Sequence, residues 1–182
     1  MITFNIISLK NLEKLKKIDI NEILNFINIE NKSYKSPELS LDEFIKKYKN
    51  NKNDIYYFFI LENKEIVGGF RYYKTNIKDK LLLNRFIYKN GLYYVIQSVF
   101  VLSQYRRKGF CSMLLRHFFK EINPSKTILA VEAKNKNAIK CYQKNGFIKI
   151  VERKIINKIL DSTDKSIIDK EFLMIKNKKN LK

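Results

Sequence analysis

"SQYRRKGFCSMLL", residues 103–115, decides how this chain is read. Arg106, Arg107, Lys108 and Gly109 stand directly before an apolar run. Leu114, Leu115, Phe118, Phe119 and Ile122 fall on one helical stripe that ends before "NPS". Upstream lies "LYYVIQSVFV", Leu92–Val101, the most β-rich run of the chain, expected to be a central strand buried on both faces. A strand that ends in a short basic loop and turns straight into a helix makes an anion site. The first N–H groups of a helix have no partner within it, and the helix dipole places roughly half a positive charge there. Hydrogen bonds to charged groups contribute about 1.5–3 kcal/mol each, so several hold a pyrophosphate. Gly109, without a Cβ, lets a bulky anion approach the backbone. The stretch is neither GxxxxGK[ST] nor GxGxxG, which excludes a P-loop and a dinucleotide fingerprint.

Outward from it, the periodicity gives the other elements. "ITFNIIS" (Ile2–Ser8) reads as a strand. Leu12, Leu15, Ile23, Leu24 and Ile27 have helical spacing, with a break expected near Asp19. Ser40 and Glu43 form a capping box for a helix through Tyr48. Asp54–Leu61 and Ile66–Tyr73 make a hairpin turning at "ENKE". Thr75–Asn90 is a long basic connection, read either as a hairpin extension or as a short helix over "KDKLLLNRF". Thr127–Ala133 is a strand. "NKNAIKCYQKN" is a helix with Asn135 as N-cap and Gly146 as the left-handed stop. "FIKIVERKI" and Glu171–Lys176 close the order β-α-α-β-β-β-α-β-α-β-β. The fold class is α/β (α+β): one domain over residues 1–176, with a mixed, mostly antiparallel central sheet and helices on both faces. The end of the chain, "KNKKNLK", is expected to fray, leaving 177–182 as a basic flexible tail.

The loop and its helix resemble the acyl-CoA signature of the GNAT superfamily of N-acyltransferases. The family pattern Arg/Gln-x-x-Gly-x-Gly/Ala stands here as Arg106-x-x-Gly109-x-Cys111, with Cys in place of the last small residue, which crowds the loop more. Downstream, Asn135, Ala138, Tyr142, Gly146 and Phe147 match the family's Asn-x-x-Ala-x-x-x-Tyr-x-x-x-Gly-Phe. "ENKEIVGGFRYY" resembles its β2–β3 hairpin. Order and spacing agree from residue 1 to about 176. The resemblance implies a GNAT-like fold and an acetyl-CoA-dependent N-acetyltransferase acting on a primary amine by direct attack in a ternary complex. It implies that the amides of Arg107, Lys108, Gly109, Phe110, Cys111 and Ser112 hold the pyrophosphate, with Arg106 beside them. It implies that Val99, Phe100 and Val101 pair with the pantetheine arm beyond a strand bulge, and that a backbone N–H there polarises the thioester carbonyl. Tyr142 gives a proton or hydrogen bond to the leaving sulfur, or is a core residue of an amphipathic helix. Asn135 caps its helix and, in the family, also touches the CoA arm.

A base is harder to find. The family's usual glutamate positions hold Gln97 and Ala130. Glu132, on the same strand face as Ala130, is the candidate, against a solvent-facing carboxylate, a water chain, or Glu30. His117, the only histidine, falls off the apolar stripe and reads as a surface residue. Cys111 is not read as a nucleophile, and Cys141 is given no role.

Of 182 residues, 37 are Lys or Arg and 18 Asp or Glu, a formal charge of +19. That keeps a second reading open: a non-catalytic, basic nucleic-acid-binding module on the same fold. The lysines are scattered along the chain, which favours the enzyme. The two cysteines lack metal-ligand spacing, so no metal is expected and both are read as free thiols of a cytoplasmic protein. No run is long and apolar enough for a membrane span and no signal peptide is read. A monomer or homodimer is expected; "FINIENKSYKSPELSLDEF" faintly resembles the corresponding region of ribosomal-protein N-terminal acetyltransferases, which implies a peptide amine, and exposed tyrosines suit a stacked sugar equally.

Overall fold

The structure is a computed structural model that describes residues 1–8, 17–33, 37–49, 55–76, 91–157 and 167–178. Its elements are β1 (Ile2–Ser8), α1 (Lys17–Ser33), α2 (Leu41–Lys49), β2 (Ile55–Glu62), β3 (Glu65–Asn76), β4 (Leu92–Val101), a 3₁₀ turn (Ser103–Tyr105), α3 (Phe110–Ile122), β5 (Lys126–Glu132), α4 (Lys136–Lys144), β6 (Ile148–Asn157) and β7 (Ile167–Asn177). The order is the expected one, with the 3₁₀ turn added. The strands form a seven-stranded, mostly antiparallel sheet in the order β1-β2-β3-β4-β5-β7-β6, with β4 at its centre as expected. Leu12, Leu15, residues 77–90 of the basic connection and the end of the tail lie outside the described residues.

The chain divides into two compact units: Met1–Tyr73 with Ser98–Phe110, and Lys74–Gln97 with Cys111–Lys182. In the first, β1 runs antiparallel to β2, from Ile2 opposite Glu62 to Ser8 opposite Tyr56. Asn63 and Lys64, both left-handed (φ 52° and 72°), join β2 to β3. Two left-handed residues give the turn whose twist matches the flanking strands. β2 buries Tyr57, Phe58, Phe59 and Ile60 in succession, so both of its faces are covered. Phe58 stacks on Phe70 at 5.4 Å. Tyr57 and Phe59 join Ile23, Phe26 and Ile27 of α1, Phe44 of α2 and Phe100 in one core cluster. Gly69 is imposed by this packing: a Cβ there would stand 2.6 Å from Phe59 Cδ1 and 2.9 Å from Phe58 O.

α1 is continuous from Lys17 to Ser33, and the stretch before it, which holds Leu12 and Leu15, is outside the described residues. The stripe from Ile20 to Ile27 packs into the core. The Ser40–Glu43 capping box forms as expected. Ser40 N donates to Glu43 Oε2 at 2.8 Å, and Glu43 N donates to Ser40 Oγ at 3.3 Å. Asn28 clamps the α1–α2 connection, donating to Leu39 O and accepting from Leu39 N, each at 2.8 Å.

In the second unit β4 and β5 are parallel, with Tyr94, Val95 and Ile96 opposite Thr127, Ile128 and Leu129. A parallel pair needs a crossover, and α3 supplies it. Leu114, Leu115 and Phe118 of α3 are fully buried, with Phe118 edge-on to Tyr94 at 6.4 Å. β7 runs antiparallel to both β5 and β6. It continues to Asn177, and Lys178 N donates to Ser125 O at 2.9 Å. The chain thus stays bonded two residues past Lys176, where fraying was expected to begin. Tyr57, Tyr72, Tyr93, Tyr94 and Tyr142 are buried, which leaves fewer tyrosines free to stack on an acceptor.

Candidate active site

β4 is not buried on both faces along its whole length, for Gln97 is exposed. The next residue, Ser98, has φ 55°. A left-handed, non-glycine residue inside a strand is a local kink that costs of order 1–3 kcal/mol and persists only where its surroundings enforce it. The ladder to β5 ends just before it, at Ile96. This is where the resemblance calls for a bulge. Beyond the kink come Val99, Phe100 and Val101, and Leu102 N donates to Val67 O at 2.9 Å. Gly68 admits this strand end closely: a Cβ on it would lie 3.0 Å from Phe100 O.

The basic loop then turns back. Arg106 Nε donates to Val101 O at 2.9 Å, and its guanidinium lies 5.3 Å from the Phe100 ring centroid. Arg106 is therefore folded onto the strand end, and Arg107 and Lys108 are exposed. Arg107 (φ 64°) and Gly109 (φ 85°) are both left-handed and flank Lys108. Such turns direct successive backbone N–H groups into a shared concavity that suits an anion. A Cβ on Gly109 would meet nothing within 4 Å, so glycine is needed there for its φ, and the space beside it is open. Phe110, buried and edge-on to Tyr105 at 5.7 Å, anchors the start of α3.

In the second unit the first turn of α3 carries a correction. Cys111 and Cys141 are not free thiols: they form a disulfide, with Cα atoms 6.6 Å apart. The spacing of 30 residues gave no hint, because the pair is brought together by packing of the first turn of α3 against α4. The sulfur of Cys141, which was given no role, is thus fixed one residue before Tyr142. Ser112 Oγ accepts a hydrogen bond from Asn145 Nδ2 at 2.9 Å and lies 3.7 Å from Cys141 Sγ.

Asn135 caps α4 as expected, its side chain accepting from Ala138 N at 3.1 Å. Gly146 is left-handed as expected, at φ 85°. Gly146 N donates to Gln143 O and Phe147 N to Tyr142 O, both at 3.0 Å. This pair of bonds is the Schellman C-cap, and the accompanying apolar contact is Tyr142 against Phe147, 6.0 Å between ring centroids. Tyr142 is 5% exposed. Glu132 ends β5, its side chain 45% exposed and 3.5 Å from Lys134 Nζ. The alternation along β5 puts it on the Ala130 face, as expected. His117 is half-buried and 3.8 Å from Glu121 Oε1.

Sequence reasoning missed three residues of this unit. Asn145 ties the end of α4 to Ser112. Lys176 Nζ, buried, donates to Asn145 O at 2.7 Å. Glu171, also buried, stands opposite Glu132 in the β5–β7 register. A polar residue in an alternating strand gives no sign of which face it will occupy. Among the described residues, no group of His, Cys, Asp and Glu side chains is placed to hold a metal ion.

The architecture is shared with solved acyltransferases. Arabidopsis thaliana NAA60, determined with a bisubstrate analogue, is similar over 97% of this chain and 98% of its own, at 15% identity and a TM-score of 0.68. The Vibrio cholerae spermidine N-acetyltransferase, determined with CoA and spermine, is similar over 98% and 96%, at 17% identity and a TM-score of 0.62. The ribosomal-protein-S18-alanine N-acetyltransferase of Escherichia coli is similar over 96% and 94%, at 17% identity and a TM-score of 0.59. No curated protein matches the chain in sequence at a significant level. The fold is thus that of the N-acetyltransferases. Residues 21–147 match the model of the acetyltransferase (GNAT) family, and the chain belongs to that family. It is an acetyltransferase by that membership, as the loop and the α4 motif implied.

Proposed function

We propose that this acetyltransferase uses acetyl-CoA and acts on a primary amine by direct attack in a ternary complex, in the cytoplasm. The observation that carries the reading is the loop before α3: left-handed Arg107 and Gly109, open space at Gly109, and a helix start that leaves N–H groups unpaired. These features are those by which a loop at a helix start accepts a diphosphate.

The amides of Arg107–Ser112 bind the diphosphate, and Arg107 and Lys108 supply charge. Backbone groups of Val99–Val101, past the kink at Ser98, pair with the pantetheine arm, and one N–H there hydrogen-bonds the carbonyl oxygen as negative charge develops on it. The bound donor supplies a thioester carbon for the amine to attack, with CoA leaving as a thiol. Tyr142 donates its hydroxyl proton to the departing sulfur. Ordinary pKa values of about 10 for tyrosine and about 8.5 for a thiol make the transfer nearly even. Glu132, with Lys134 Nζ 3.5 Å from its carboxylate, accepts the proton that the amine must lose. Asn135, as the cap, fixes the start of the helix that carries Tyr142.

The test is a panel of small amines, amino sugars and peptides, assayed for release of free thiol from acetyl-CoA. Release that depends on one class of amine supports the reading. No release with any, together with a thermal shift by oligonucleotides that vanishes in salt and none by acetyl-CoA, points instead to the nucleic-acid module.

A further inference from the structure

We propose that the Cys111–Cys141 pair is a redox-reactive site whose reactant is a dithiol, and that its state sets the affinity of the enzyme for acetyl-CoA. The inference rests on the acyl-CoA reading of the loop before α3.

Cys111 is the second residue of α3, in the turn whose unpaired amides receive the diphosphate. Cys141 directly precedes Tyr142 in α4. Both cysteines are half-buried, within reach of a reagent. The two are the whole cysteine complement of the chain, and they are bonded to each other. In a reducing compartment a disulfide is characteristically transient, catalytic or redox-sensing. The neighbouring polar bonds do not depend on it: Asn145 Nδ2 still reaches Ser112 Oγ and Cys141 O, and Lys176 Nζ still reaches Asn145 O. Reduction is therefore a local event and leaves the unit held together.

The reaction balances without a further reagent. A thiolate of the dithiol attacks Cys141 Sγ, and the sulfur of Cys111 leaves as thiolate, favoured by the amides of the helix start. The second thiol of the reductant attacks the mixed disulfide, releasing the sulfur of Cys141, which takes up a proton. The dithiol ends as a cyclic disulfide and the protein as a dithiol.

The consequence follows from charge. In the disulfide the side chain of Cys111 is neutral and drawn toward α4. Once freed, its thiolate sits at the same positive helix end as the diphosphate and competes for the same amides. The oxidised enzyme is thus the tight-binding form.

The experiment uses the whole protein, equilibrated with dithiothreitol or with oxidised glutathione. Disulfide state is read by differential alkylation and peptide mass, and acetyl-CoA affinity by equilibrium titration beside the steady-state kinetics. The expected result is a reversible loss of the Cys111–Cys141 link on reduction. Affinity for acetyl-CoA should fall roughly three- to tenfold, and KM should rise in step, with kcat nearly unchanged. Cys141→Ser, which cannot form the bond but keeps Cys111, should show the weak affinity in both media. Cys111→Ala should respond to neither. Free cysteines in the oxidised protein, or equal affinity in both states, would overturn the proposal and leave the acyltransferase reading standing. No acetyl-CoA binding in either state would remove both.

Discussion

Phe147 N donates to the carbonyl oxygen of Tyr142 at 3.0 Å, so the tyrosine assigned to the leaving sulfur is also an anchor of the C-terminal cap of α4. The bond exists because Gly146, between them in the chain, is left-handed. Replacing Gly146 by alanine should lower stability by about 1–2 kcal/mol, the cost of an L-residue in that region. The added Cβ would meet Lys176 no closer than 3.5 Å, so backbone conformation and not a clash sets the cost. Urea unfolding curves measure it, and an unchanged midpoint would show that the cap adjusts freely.

The role of Tyr142 itself is tested by Tyr142→Phe. The ring against Phe147 is kept and only the hydroxyl is lost, so the unfolding midpoint is measured beside the kinetics to separate turnover from stability. Turnover should fall by about a hundredfold or more, with the KM for acetyl-CoA little changed. Equal turnover would make Tyr142 a packing residue.

Lys176 gives a pH dependence. Burial is the cause that lowers the pKa of its ammonium from the ordinary lysine value of 10.5. The folded protein then binds fewer protons than the unfolded chain over the interval just below 10.5, so this group makes stability rise with pH there. Below its lowered pKa the cost of burying the charge is present in full. Lys176→Met keeps the volume near Phe119, whose ring centroid lies 3.8 Å from Nζ, and removes the charge. In that variant the part of the alkaline rise that comes from Lys176 should vanish, while at neutral pH relief of the buried charge opposes loss of the bond to Asn145 O. Thermal midpoints of both proteins between neutral and alkaline pH decide it.

Ser98 tests the kink in β4. Ser98→Gly should be neutral or stabilising, because glycine takes φ 55° without strain. Ser98→Val should cost about 2 kcal/mol or more and weaken acetyl-CoA binding, since a β-branched residue resists that conformation. Identical stability of the two variants would mean that the kink is not enforced.

Much of the fold was legible because it rests on local rules. The 3.6-residue stripe of Leu114, Leu115 and Phe118 requires a helix with one buried face, and the core holds all three. Ser40 with Glu43 and Asn135 with Ala138 are bonds across a few residues, written in the choice of polar atoms. Gly146 marked left-handed backbone, and φ there is 85°.

The amino-acid order by itself thus determined the succession of elements, the basic loop that opens α3, and the family. Its hydrophobic periods, caps and glycines act over a turn or two of chain. Tertiary structure alone decided that Cys111 meets Cys141, that Asn145 reaches Ser112, and that Lys176 turns inward to Asn145. These partners lie about thirty residues apart, and only the packing of helices and strands brings their side chains within bonding distance.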